Sequence, residues 1–205
     1  MASSNDTATG TVASASGARM RGDERRTLVL DAATRCFGRT GFAGTSTDAI
    51  AKEAGVSQPY VVRIFGTKQA LFLEAFARAG ERIRDAFAEV LEDGDFDPAD
   101  EEDQARLGAA YTGLLADREL MLVLLHGFAA GDNDEIGARA RASMDEIAGL
   151  LRSSGMEPEQ VRDFVAQGML LTVLMAMRAP EHMADHENLR QLVACAFGEA
   201  TSRVC

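Results

Sequence analysis

The chain has 205 residues, no tryptophan, four prolines and a formal net charge of −11. This length suits one small domain and one larger one, and the composition favours helix throughout. No run of about 18 apolar residues exists, so no membrane span is expected. Cys36, Cys195 and Cys205 are widely spaced and unpaired in pattern, which excludes a disulfide scaffold and a cysteine metal site and fits a reducing cytosol.

Residues 1–18 are rich in Ser, Thr, Ala and Gly and lack an apolar core. They are therefore no secretory signal, and residues 1–20 are expected to be a disordered tail. The charge is uneven: residues 1–72 hold nine basic against six acidic side chains, a surplus of +3, which leaves −14 for residues 73–205. A basic head on an acidic body orients the molecule toward phosphate.

The first helix is predicted over 24–40, with Val29, Ala33, Cys36 and Phe37 on one face, Gly41 as its end, and Arg25 and Arg26 within reach of a phosphate. Residues 45–68, TSTDAIAKEAGVSQPYVVRIFGTK, read as two short helices and a tight turn. Thr45 followed by Asp48 opens the first of them, and Gly55 suits a left-handed C-cap. Ser57 and Pro59 start the second. Val61 and Phe65 point to the core and leave Gln58, Tyr60 and Arg63 outside. A helix-turn-helix with a glycine turn and an outward face of donors is a DNA reader.

Residues 25–72 resemble the DNA-binding domain of the tetracycline-repressor (TetR) family of transcription regulators. Ala33, Phe37, Gly41, Phe42, Thr45, Ile50, Ala51, Ala54, Gly55, Val56, Ser57, Phe65, Lys68 and Leu71 carry the likeness. Where that family usually has Tyr and then His or Tyr before the Phe, this chain has Val62 and Ile64. The resulting expectation is an all-α protein. An N-terminal three-helix helix-turn-helix DNA-binding domain over 21–68 precedes a helical ligand-binding and dimerisation domain over 69–205. Thr45, Ser46 and Lys68 are expected on phosphate, and Gln58, Tyr60 and Arg63 at base edges.

Residues 68–91 read as one long helix, a lever between head and body, with Leu71, Phe72, Ala75, Phe76, Ala79, Ile83, Phe87 and Val90 in period. The acidic stretch 93–103 reads as a solvated loop. Further helices are predicted near 102–116, 118–130, 133–153, 159–178 and 187–203. The segment 164–177 is almost wholly apolar, which calls for burial on all sides. Leu170, Leu174 and Met177, with Leu189, Val193 and Phe197 of the last helix, are expected to meet a second copy in a four-helix homodimer interface. The resemblance implies the same arrangement.

The body holds no nucleophilic triad, phosphate loop or carboxylate pair, so an enzyme is not expected. His182 and His186 lack a third ligand, so no metal or cofactor is expected either. Phe87, Tyr111, Leu125, His126, Phe128, Met144, Phe164 and Thr172 are candidates to line a small-molecule effector site. The negative body favours neutral or cationic ligands unless a local polar group reverses that preference. The expected function is a cytoplasmic repressor released from palindromic operator DNA by a small apolar or amphipathic ligand. A regulator that activates or lacks an effector is the alternative; an all-α enzyme or a structural interaction module is the remote one.

Overall fold

A computed structural model describes residues 13–198. All regular structure among the described residues is helical. The expected tail lies partly outside them. Over residues 13–20, however, the backbone is already helical, so the first helix, α1, starts earlier than 24 and spans Ala13–Gly44. Gly41 (φ 70°) interrupts it, a backbone conformation that costs glycine nothing and an L-residue dearly. The expected stop at Gly41 is thus a kink followed by one more turn.

Helix α2 (Thr47–Ala54) is capped by Ser46, whose hydroxyl accepts from the Ala49 N–H at 3.1 Å. Thr45, expected to open this helix, is instead buried. Its hydroxyl donates to the Gly41 carbonyl at 2.7 Å and sits 2.7 Å from the Thr40 hydroxyl. It stitches the kink of α1 to the start of α2. Gly55 (φ 65°) ends α2 in the left-handed region, and its N–H and that of Val56 bond back to Lys52 and Ala51. Helix α3 (Gln58–Phe65) has Pro59 in its first turn, where no N–H is required.

Helix α4 (Lys68–Glu92), capped by Thr67, buries the predicted stripe from Leu71 to Phe87; Val90 at its far end is only partly covered. Its aromatic residues run as a chain: Phe72 packs edge-on against Phe37 at 5.0 Å, Phe76 against Phe128 at 5.8 Å and Phe87 against Phe164 at 5.5 Å. One continuous helix therefore belongs to both the head core and the body core.

The body adds α5 (Glu101–Leu114), α6 (Arg118–Ala129), α7 (Asp134–Ser153), α8 (Pro158–Ala176) and α9 (Glu187–Phe197). Asp100, Asp117 and Asn133 cap the first three through their side chains. The guanidinium of Arg118 holds the carbonyls of Met175 and Ala176 and so closes the C-terminus of α8. Small residues let the helices approach. A Cβ on Gly127 would lie 2.2 Å from the Phe76 ring, and one on Gly38 would lie 2.7 Å from the Glu119 carbonyl oxygen.

A short 3-10 turn, Ala179–His182, reverses the chain, and α9 folds back on α8, with Gln167 Nε2 bonded to the Ala196 carbonyl at 2.7 Å. This hairpin corrects the expected interface. Leu174 of α8 and Val193 and Phe197 of α9 are already buried within one chain, where the two helices pack together. Leu170 and Leu189 are half-buried, and Met177 is exposed. No helix among the described residues is long and apolar enough to cross a membrane.

Candidate nucleic-acid interface and body cavity

The head is built so that α3 shows one face. Its inner side chains, Val61 and Phe65, join Ile50 and Ala51 of α2 and Val29, Ala33 and Phe37 of α1 in the core. The 3.6-residue period then leaves Pro59, Val62 and Arg63, spaced i, i+3 and i+4, exposed as a stripe. The expected base-facing trio divides. Arg63 is exposed, with its guanidinium 5.0 Å from the centre of the Tyr60 ring. Tyr60 is half-buried against the core and serves as a platform for that guanidinium. Gln58 is half-buried too, and its amide donates to the Thr47 hydroxyl at 3.2 Å.

Of the three residues expected on phosphate, Ser46 is exposed at the N-terminus of α2, where free N–H groups and the helix dipole favour an anion. Lys68 donates to the Phe42 carbonyl at 2.9 Å, with its ammonium 4.5 Å from the Phe42 ring centre. It is a half-buried strut between the α1 kink and α4. Thr45 presents nothing to a phosphate, because its hydroxyl is spent on Gly41 in the interior. Val62, 40% exposed, adds an apolar side chain to the face of donors, a position signalled in the sequence by its i+3 spacing from Pro59.

The basic surface is partly neutralised from within. Arg26 pairs with Glu74, while Arg35 and Arg39 share Glu53 at 2.8 and 2.9 Å. Hydrogen bonds from Arg35 and then Arg39 hold the Glu53 carboxyl below its ordinary range. Of the two arginines near the start of the predicted first helix, Arg25 alone keeps a free guanidinium among the described residues.

The body contains an apolar cavity of about 50 Å³ between α4, α5, α6, α7 and α8. Six of the expected residues line it: Phe87, Tyr111, Phe128, Met144, Phe164 and Thr172. The Tyr111 hydroxyl lies 2.5 Å from the Thr172 hydroxyl, which in turn donates to the Gly168 carbonyl at 2.9 Å. The two polar groups satisfy each other, and burial pushes the Tyr111 phenol up.

Leu125 and His126 do not line the cavity. Successive residues of a helix point about 100° apart, so with Leu124 and Phe128 turned inward, their neighbours face elsewhere. The His126 imidazole turns to α1, with Nε2 3.3 Å from the Gly38 carbonyl oxygen, and the ring lies against Gly41.

Residues 29–75 match the family described as bacterial regulatory proteins, tetR family. Over 69 residues the chain is 32% identical to the uncharacterized HTH-type transcriptional regulator YhgD of Bacillus subtilis, which is 34% of this chain and 36% of that protein. The chain thus spans about a third of the length of that relative.

The fold is similar to that of a TetR-like transcriptional regulator from Rhodococcus sp. RHA1, with a TM-score of 0.59, 24% identity and coverage of 84% and 93% of the two chains. It is also similar to that of a TetR-family member from Streptomyces coelicolor A3, with a TM-score of 0.58, 23% identity and coverage of 82% and 98%. These two likenesses speak to the fold; the matched head segment speaks to descent. Residues 29–75 are thus a DNA-binding head of the tetR family of bacterial regulatory proteins, set in a chain with the fold of TetR-like transcriptional regulators.

Proposed function

We propose that this chain is a homodimeric, DNA-binding transcriptional repressor that acts in the cytoplasm and releases a near-palindromic operator when a small apolar or amphipathic ligand enters its body. The observation that carries the DNA-binding part is the exposed stripe of α3. Arg63 is free to make a two-point contact with guanine, and Val62 offers an apolar surface to a thymine methyl group, while Ser46 and the N-terminus of α2 face phosphate. Selection of binding sites from a random DNA pool by the purified protein tests it. The expected product is one two-fold symmetric sequence, and failure to enrich any sequence removes the proposal.

The dimer proposal rests on Val173 of α8, Met177 at its C-cap one helical turn on, and Leu192 of α9, which are 42%, 59% and 44% exposed. Together with half-buried Leu170 and Leu189 they form an apolar face that a second copy covers.

Effector control is supported by two connections between cavity and head. Helix α4 carries Lys68 and Phe72 in the head and Ile83 and Phe87 at the cavity. Helix α6 carries Leu124 and Phe128 at the cavity and His126 against α1. Drug-sized ligands occupy about 300–1,000 Å³. A cavity of about 50 Å³ must therefore widen to admit one, and a ligand that binds the widened state better shifts the head spacing away from the DNA-competent one.

A further inference from the structure

Beside the apolar cavity lies a second space, and its wall carries a charge. An outer groove of about 260 Å³ between the end of α6 and the first turns of α7 is lined by Phe128, Gly131, Gly137, Ala140, Arg141 and Met144. Phe128 and Met144 also line the inner cavity, so these two side chains are the partition between groove and interior. Gly137 keeps the groove open at its rim. A Cβ there would lie 2.7 Å from the Gly131 carbonyl oxygen and 3.1 Å from Arg141 Nη1.

Arg141 is chemically unlike its neighbours. The body from residue 73 onward has no lysine, and a charge of −14 surrounds its arginines. Every other arginine from Arg78 to Arg190 holds a carboxylate or a backbone carbonyl. Arg141 has no ion pair or hydrogen bond among the described residues, although carboxylates abound, and its guanidinium lies over Gly137 at the groove. The inner cavity has the opposite character. Its hydroxyls are paired with each other, and the remaining wall is aromatic, aliphatic and thioether.

We propose that the ligand of this body is an amphipathic anion: an unbranched or aromatic apolar tail that passes between Phe128 and Met144 into the cavity, and a carboxylate held by Arg141 in the groove. The inference rests on reading the cavity as an effector site and names the chemical class that the site takes. A planar guanidinium with five donors accepts a carboxylate at two points, which reverses locally the preference that the acidic body imposes elsewhere. An uncharged tail alone would leave the arginine unused. A cationic head would meet it with repulsion.

The test uses the full-length protein and two probes of equal tail length, decanoate and 1-decanol, in calorimetric titrations. Wild type is expected to bind decanoate about tenfold more tightly than decanol, the ratio that one charge-assisted hydrogen-bonded pair supplies at a partly exposed site. Arg141→Gln should abolish that ratio by weakening decanoate alone, Arg141→Lys should restore part of it, and Arg141→Glu should turn the preference toward decylammonium. Because Arg141 is exposed and unpaired, the variants should melt with wild type. Phe128→Trp, which fills the partition, should weaken both probes.

Equal affinity for the two probes in wild type, absence of binding by either, or a decanoate preference that survives Arg141→Gln overturns the assignment. If decanoate binds with the expected dependence on Arg141 but leaves DNA affinity unchanged, the anion site stands and effector control falls.

Discussion

His126 Nε2 on α6 lies 3.3 Å from the carbonyl oxygen of Gly38 on α1, and two residues to either side of it Leu124 and Phe128, one turn apart, face the body cavity. The same stretch of helix thus touches the head and the body cavity at once. The approach depends on a missing side chain, since a Cβ on Gly38 would sit 2.7 Å from the Glu119 backbone oxygen. Backbone cannot move aside as a flexible side chain does, so α1 and α6 would have to separate.

Gly38→Ala is accordingly expected to destabilise the protein by about 1–3 kcal/mol, the cost of an overpacked contact. Gly108→Ala, on α5 with open space around it, should be neutral or stabilising by up to about 1 kcal/mol. Thermal melts of the two variants against wild type check the pair. Equal behaviour would show that the α1–α6 approach is not tight.

Thr45 and Ser46 adjoin in sequence and differ in role. Thr45→Val removes the buried donor to the Gly41 carbonyl and should cost about 1–3 kcal/mol of stability. Operator affinity should stay near wild type at temperatures where the variant is folded. Ser46→Ala removes a cap worth about 1 kcal/mol and an exposed hydroxyl at the α2 terminus, so it should weaken DNA binding as well as stability. Melting curves and titrations with the selected operator separate the two.

On α3, Arg63→Ala should cost roughly 1–3 kcal/mol on the selected operator and relax the choice at one base pair, with little change on random DNA. Val62→Ala should remove the preference for thymine over deoxyuridine at one position, because that comparison isolates the methyl group. If both variants bind operator and random DNA with unchanged ratio, α3 is not the reading helix.

The α8–α9 hairpin makes a two-sided prediction. Val173→Glu, Met177→Glu and Leu192→Glu place a charge on an exposed apolar face and should yield folded monomers by sedimentation. Leu174→Glu and Phe197→Glu bury an unpaired charge in the same chain and should disrupt folding itself. Monomeric wild type that binds operator tightly would falsify the dimer proposal.

Acid should loosen the head through Glu53. Its carboxyl is held below the ordinary value of 4.5 by Arg35 and Arg39, so the folded head binds that proton less readily than the unfolded chain. The contribution is therefore fully present above pH 4.5 and is lost as pH falls through the lowered folded value. In Glu53→Gln the melting temperature should fall less steeply below pH 4.5 than in wild type, which calorimetry across that range measures.

Local chemistry was enough to read most of the elements from the sequence. Gly55, Pro59 and Thr67 mark helix ends because backbone conformation and unpaired N–H groups act within a few residues, and the stripe from Leu71 to Phe87 declares a helix with one buried face. The likeness of residues 25–72 to the TetR head lies in the same short-range pattern. Of the eight residues expected at the cavity, six line it, since aromatic and thioether side chains on inward faces have few other places to go.

Tertiary structure decided the rest. Periodicity gives a helix an apolar face but not its rotation against each neighbour, so whether Leu124 or Leu125 faced the cavity and whether His126 met a ligand or α1 depended on how α6 docks. An apolar surplus likewise does not say which copy of the chain covers it. The reversal at Ala179–His182 packs α9 on α8, so that Leu174, Val193 and Phe197 are buried in their own chain while Val173, Met177 and Leu192 stay outside. Nor does composition show that, among the described residues, one arginine of the acidic body stands unpaired. Pairing is a matter of distances between side chains remote in sequence, and only the packing of α6 against α7 puts Arg141 in the groove beside the cavity.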